Sequence, residues 1–269
     1  ETFTILKDAS ATAPYGVRGA NGVIIVTTKR GKASEKPSVN FKASVGTNAP
    51  VKFPTYLGSA DYATLYNEAM INSNPGTDPS KLELFTQDAI NNYRMAKGDN
   101  SDGLGYNWDY FDYAFKPGIQ QDYSLSIRGG SERARYYVMA NYYSQDGNYE
   151  HTDLTEHDTQ ARFKRYNFRA NVDVDITKDF YVRVDLGARI TDRHAPGTTA
   201  STVVSLCNTL PPYLPITVPE NDNPDNEDYV LNNPYGMLYG DYRHRKNILG
   251  ELSRTGYLIE KKTYLNGSF

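Results

Sequence analysis

Two neighbouring stretches constrain this chain more than any others. In the first, Tyr166, Phe168, Ala170, Val172, Val174 and Ile176 alternate with Arg165, Asn167, Arg169, Asn171, Asp173 and Asp175. After Thr177-Lys178-Asp179, Phe180, Val182, Val184, Leu186, Ala188 and Ile190 alternate with Tyr181, Arg183, Asp185, Gly187, Arg189 and Thr191. A period of two belongs to a β-strand with two chemically different faces. A three-residue link makes the two strands an antiparallel hairpin. Each run holds twelve residues without a break in period. Soluble strands average about 5–6 residues, whereas a tilted membrane-spanning strand needs about 9–11. The polar face carries full charges of both signs, as a wet lumen tolerates. Length and charge together favour the wall of a transmembrane β-barrel over a soluble sandwich.

The rest of the chain repeats this pattern. Residues 38–46 alternate, with Val39, Phe41, Ala43 and Val45 on one face and Ser38, Asn40, Lys42 and Ser44 on the other. Tyr123, Leu125 and Ile127 alternate with Ser124, Ser126 and Arg128, then turn through Gly129-Gly130-Ser131-Glu132. Residues 135–144 return, with Tyr136, Val138, Ala140 and Tyr142 on one face. Weaker strand patterns recur at 248–252 and 263–269. The connections at 129–134 and 177–179 are short, and those at 47–121, 145–164 and 192–245 are long. Strict alternation of short and long is the arrangement of periplasmic turns and extracellular loops. The first long loop predicts two helices. One is capped by Ser59 and runs to about Asn72, with Tyr62, Leu65, Tyr66, Ala69 and Met70 sharing a face; the other follows Asp78-Pro79-Ser80 and ends near Lys97.

Composition adds limits. Mean hydropathy is −0.64, and no apolar run approaches the 18 or so residues of a transmembrane helix. Barrel strands escape such a scan, because only alternate residues face lipid. A net charge of −3 gives no hint of a nucleic-acid partner. A single cysteine, Cys207, excludes an internal disulfide framework. The chain starts at Glu1 without a signal peptide and ends inside a strand-like pattern, which reads as an internal segment of a longer protein.

The amino-terminal part has a different grain. Phe3 to Leu6 predicts a short strand, and Asp8 predicts the cap of a short helix. Gly16, Gly19 and Gly22 follow at spacing three, with Arg18 and Asn21 between them. Next comes an apolar run, Val23-Ile24-Ile25-Val26, expected to be buried on both faces, and a basic exit, Lys29-Arg30-Gly31-Lys32. The glycine spacing is neither a dinucleotide fingerprint nor a P-loop, so it reads as a tight turn. Leu6-Lys7-Asp8-Ala9-Ser10-Ala11-Thr12-Ala13, Tyr15-Gly16, Arg18-Gly19-Ala20-Asn21-Gly22-Val23 and Thr27-Thr28-Lys29-Arg30-Gly31-Lys32 together resemble the end of the plug domain in SusC/RagA-type TonB-dependent outer-membrane transporters. Pro14 and Val17 depart from that pattern. Asp61-Tyr62, Leu65-Tyr66-Asn67-Glu68-Ala69, Tyr123-Ser124-Leu125-Ser126-Ile127, Gly129-Gly130-Ser131 and Arg135-Tyr136-Tyr137 resemble the first barrel strands and loop of the same family.

The resemblance implies a mainly β chain: the end of a plug domain at 1–33, then the first antiparallel strands of a transmembrane barrel at 34–269, with short helices in the long loops. It implies import of a large nutrient, an oligosaccharide or a peptide, across the bacterial outer membrane. It also implies plug gating energised by the TonB complex through a segment missing here, and a SusD-like surface lipoprotein as cap. Gly16, Arg18, Gly19, Asn21 and Gly22 would form the signature turn. Arg18, an arginine between turn glycines beside a buried strand, is expected to pair with a carboxylate of the barrel wall. Phe168, Val172, Val174, Val182, Val184 and Leu186 are the expected lipid-facing rows.

His151, Asp153, Glu156, His157 and Asp158 lack a helix-borne metal spacing and read as a solvated loop. Residues 221–228 are acidic without the calcium-loop pattern. No nucleophile elbow occurs and Cys207 has no histidine nearby, so nothing points to an enzyme or a cofactor. Tyr106, Trp108, Tyr110 and Tyr113 belong to an aromatic cluster that either packs within the loop or contacts ligand or partner; packing is the favoured reading. The alternative function is a soluble, secreted β-rich module binding glycan or peptide, which would bury the row expected to face lipid.

Overall fold

The computed structural model describes residues 2–150, 158–218, 237–240 and 243–269. Most of the chain is one six-stranded antiparallel sheet built from β3 (Ser34–Asn48), β4 (Gly118–Gly130), β5 (Ala134–Asp146), β6 (Arg162–Asp175), β7 (Tyr181–Pro196) and β10 (Tyr257–Ser268), in the order β10-β7-β6-β5-β4-β3. Its strands run from 12 to 16 residues. Each pairs with its sequence neighbour in the sheet, as a meander does, and β10 closes on β7 from Tyr257 opposite Pro196 to Ser268 opposite Asp185. A separate two-stranded sheet pairs β1 (Thr2–Leu6) with β2 (Val23–Thr27).

The alternation read from the sequence becomes the two faces of the sheet. Phe168 lies opposite Ala188, Val172 opposite Val184, and Val174 opposite Val182. The polar face sets Asp173 opposite Arg183 and Asn171 opposite Asp185. The short connections after β4 and β6 lie at one end of the sheet. The three long ones, after β3, β5 and β7, lie at the other, as the alternation predicts.

The long loops fold. In the first, α2 (Ser59–Ser73) packs on α3 (Gln87–Met95) through Ala60, Ala63 and Ile90, with Phe85 and Tyr93 beside them. α4 (Tyr110–Ala114), α5 (Ala200–Thr209) and α6 (Ile248–Arg254) build a second core from Tyr110, Phe111, Val203, Leu206, Cys207, Ile248, Leu249 and Leu252. Phe53 and Leu238 pack against it, Leu238 coming from the small pair β8 (Thr217–Val218) and β9 (Met237–Leu238). Phe53 and residues 110–114 thus share one interior with Val203, Leu206, Cys207, Ile216 and Ile248 to Leu252, although β4 to β7 separate them in sequence.

Several expectations change here. Residues 248–252 are helical, not a strand. Asn247 Oδ1 caps α6 by accepting from the amides of Leu249 and Gly250, and the buried Ile248, Leu249 and Leu252 repeat at helical spacing. The helix expected to start after Ser80 is only a 3-10 turn at Pro79–Lys81. α3 begins later, where Thr86 Oγ1 accepts from Ala89 N. Ser59 does not cap α2. Gly58 holds the cap position, and Asn107 Oδ1 accepts from Ser59 N at 2.8 Å while Ser59 Oγ donates to Tyr106 O. The buried side of α2 is Ser59, Ala60 and Ala63, and Leu65 and Ala69 are exposed, because the small residues allow the close approach of α3. Asp8 stands at the cap of α1 (Ala9–Thr12) but its side chain makes no capping bond; its carbonyl receives Ala11 N and Thr12 N. β2 is not buried on both faces: Ile24 and Val26 are 61% and 62% exposed, because only β1 flanks it.

Burial within the loop core pushes the Cys207 thiol up to about 12, with Asp109 adding to the shift. A raised acid favours the folded loop while it is protonated, and that contribution fades as pH climbs from 9 toward 12. Cys207 is therefore expected to react with a maleimide-free disulfide reagent at pH 8 at least about tenfold slower than an exposed cysteine, and to catch up once the loop is unfolded by denaturant. Fast labelling of the folded protein would contradict the packing of α4, α5 and α6.

Candidate functional site

The signature turn is built as its glycines require. Gly16 has φ +60 and Gly22 has φ +101, conformations that side chains rarely adopt. Gly19 is buried for a different reason: a Cβ there would fall 2.8 Å from the Thr12 carbonyl oxygen. Pro14 sits in the first turn of the 3-10 stretch Ala13–Gly19, where its missing amide costs nothing. Arg18 and Asn21 are exposed, and neither makes an ion pair or side-chain hydrogen bond among the described residues. The arginine that reaches the wall is Arg30, twelve positions later in the same signature.

Arg30 bridges two strands. Its Nη1 donates to Asp173 Oδ1 at 2.8 Å and its Nη2 to Asp185 Oδ2 at 2.6 Å. Arg183 Nε donates to the same Asp173 oxygen at 3.1 Å. One position back, Asn171 Nδ2 donates to the Lys29 carbonyl at 2.7 Å and reaches Thr28 Oγ1 at 3.4 Å. Asn171 and Asp173 are 2% and 9% exposed, so this contact seals part of the polar face. Gly31 continues it, since a Cβ there would lie 2.2 Å from the Tyr136 nitrogen of β5. Thr28, Arg30, Arg169, Asn171, Arg183 and Asp185 border a polar cavity of about 370 Å³. Sequence reasoning missed Arg30, Asn171, Asp173 and Asp185. The available signal was two aspartates on one polar face of a hairpin, with a basic run elsewhere to meet them.

The opposite face is apolar and open. Phe168 and Leu186 are 48% and 46% exposed. Val172, Val174, Val182 and Val184 share that side by register. Toward the long loops it ends in a row of tyrosines, with Tyr142 stacked 6.3 Å from Tyr123 and tilted 5.1 Å from Tyr166. The next row on the same face is Gln121, Ser144, Lys164, Asp192 and Lys261.

The aromatic cluster is partly interior. Tyr110 is buried, its hydroxyl set between the carbonyls of Pro211 and Leu214 at 2.9 Å each. Burial, aided by Tyr213, pushes its phenol above the usual tyrosine range. Tyr113 is pushed up to about 12, first by burial and then by Glu150. Trp108 stands edge-on to Tyr113 at 5.5 Å and stacked 6.4 Å from Tyr106, and its amide donates to the Pro212 carbonyl. Tyr110 belongs to the loop core, and Tyr106, Trp108 and Tyr113 are half-buried. Of the metal candidates, His151, Asp153, Glu156 and His157 lie outside the described residues, as does the acidic 221–228 stretch. Asp158 accepts from Arg162 Nη2 at 3.0 Å. Among the described residues no group of three or more metal-ligating side chains occurs, and no helix is long and apolar enough to cross a membrane.

No protein-family model matches the chain. Against characterised proteins it is 32% identical, over 91% of its length, to TonB-dependent receptor P3 of Formosa agariphila, of which it spans 22%. It is 33% identical, over 55% of its length, to TonB-dependent receptor SusC of Bacteroides thetaiotaomicron, of which it spans 12%. Among solved structures, the RagAB peptide importer in its closed-closed state matches 80% of this chain and 24% of its own at a TM-score of 0.56 and 24% identity, a likeness of fold. The open-open state of that importer matches 71% of this chain and 22% of its own at 0.51 and 26% identity. The chain thus spans about a fifth of the length of the first relative it matches. With a plug-type signature turn beside a wall of long two-faced strands, it belongs to the SusC/RagA-type TonB-dependent receptors of the bacterial outer membrane.

Proposed function

We propose that this chain is the plug end and first wall strands of a transporter that imports a large nutrient by plug gating. The observation that carries the reading is the placement of residues 28–31 on the charged face of a sheet whose other face is apolar and open. Charged side chains of both signs then face an aqueous lumen filled by the plug, and Phe168, Val172, Val174, Val182, Val184 and Leu186 face lipid. Tyr166 to Ile176 makes ten residue steps, roughly 34 Å along the strand and about 24 Å of height at a 45° tilt, close to the apolar band of such barrels. The tyrosine row at Tyr123, Tyr142 and Tyr166 suits the membrane–water boundary. A soluble module would bury this face, and its exposure favours the membrane reading.

In this assignment residues 1–33 complete the plug and 34–269 begin the barrel. Gly16, Gly19 and Gly22 shape the turn, and Arg18 and Asn21 lie on its exposed side, free to meet wall strands that follow. The TonB complex supplies the pull and a SusD-like lipoprotein covers the loop side. The ligand is an oligosaccharide or a peptide; of the two, only the peptide is named for the RagAB importer. Ligand binding outside shifts the plug's conformational equilibrium, and pulling opens the path. The chemistry is transport and involves no cofactor.

Two outcomes are expected. In the full-length protein, Val172→Arg costs about 2–4 kcal/mol of assembly stability and lowers the heat-modifiable folded band in outer membranes, while Ser126→Arg on the polar face leaves it unchanged; equal effects would remove the lipid-facing assignment. Uptake of labelled oligosaccharide or peptide mixtures is expected to vanish when TonB is deleted. Accumulation that persists without TonB, or depends on neither gene, would overturn the transport reading.

A further inference from the structure

Residues 28–33 join β2 to β3, and a linker needs no side-chain attachment. This one has four. Asn171 Nδ2 holds the Lys29 carbonyl and Thr28 Oγ1, Arg30 spans Asp173 and Asp185, and Gly31 lies against the β5 backbone. These contacts fall on three consecutive strands, β5, β6 and β7. Asp173 is shielded, its side chain 13% exposed, so the ion pair is screened less than a surface pair. By contrast, among the described residues no side-chain hydrogen bond or ion pair runs from residues 2–26 to the six-stranded sheet.

We infer that residues 28–31 form a strap that fixes the carboxyl end of the plug to the wall, so that displacement of the plug ends at residue 28. The inference rests on the transport reading above. A force applied from the plug's amino-terminal side loads several strap contacts at once, because Arg30 and Asn171 grip side by side. The segment upstream yields first. Without the strap, free chain would extend to the start of β3 at Ser34, six residues further, or roughly 20 Å when extended. The strap thus limits how far the plug opens and where it returns. Arg30 is a positioning residue in this device, since it holds the chain and touches no ligand.

The test is single-molecule pulling on the full-length transporter in a bilayer, with the handle on the plug's amino-terminal side. The wild type is expected to show a final plug rupture whose contour length places the tether at residue 28. Arg30→Gln and, separately, Gly31→Ala are expected to lengthen the released chain by about 20 Å. Arg30→Asp combined with Asp185→Arg is expected to restore the wild-type length. Release running to Ser34 in the wild type, or an unchanged length in Arg30→Gln, overturns the strap. Loss of TonB dependence in uptake overturns the transport reading instead, and the two assays separate these failures.

Discussion

The antiparallel ladder that joins β3, β4, β5, β6, β7 and β10 is the constraint on which the rest depends. Inside a bilayer no water is present to satisfy a strand's backbone, so every amide and carbonyl must pair with a neighbouring strand. That demand fixes strands of 12 to 16 residues in a continuous register. Register in turn fixes the faces, because a one-residue slip would send every valine of β6 to the charged side. The hairpins also force the connections to opposite ends, so the long segments gather together and can share an interior.

That gathering explains the loop core. Tyr110 and Phe111 precede β4, Val203 and Cys207 follow β7, and Ile248 and Leu252 precede β10. None of these segments is long enough to bury an apolar face alone. Brought to one end of the wall, they bury one another. The result is a packed body above the barrel with buried hydroxyl and thiol groups, and it accounts for the interior position of Tyr110, whose aromatic neighbourhood otherwise suggests a binding surface.

The Arg30 contact depends on the same ladder. Asp173 and Asp185 belong to different strands, and only their register brings both within reach of one guanidinium. A planar fork meets two carboxylates in a way an ammonium does not, which suits arginine at this position over Lys29 or Lys32. The strap thereby couples the plug end to the most regular part of the wall.

The sequence alone determined the elements whose signal is periodic or conformational. The period of two placed β4 to β7 within a few residues and assigned their faces, and the glycines at 16, 19 and 22 announced the turn, two of them with positive φ and Gly19 by close approach. Local signals misled where a distant group decides. α2 begins at Ser59 with its first amide held by Asn107, 48 residues away, so its cap was not readable from its own neighbours. Residues 248–252 offer a short apolar run that fits strand or helix equally, and the shared loop core selected the helix. The choice of Arg30 over Arg18 as the wall contact was likewise tertiary. Both are arginines in one glycine-rich signature, and only the path of the chain across β5, β6 and β7 sets one beside two carboxylates while leaving the other in solvent.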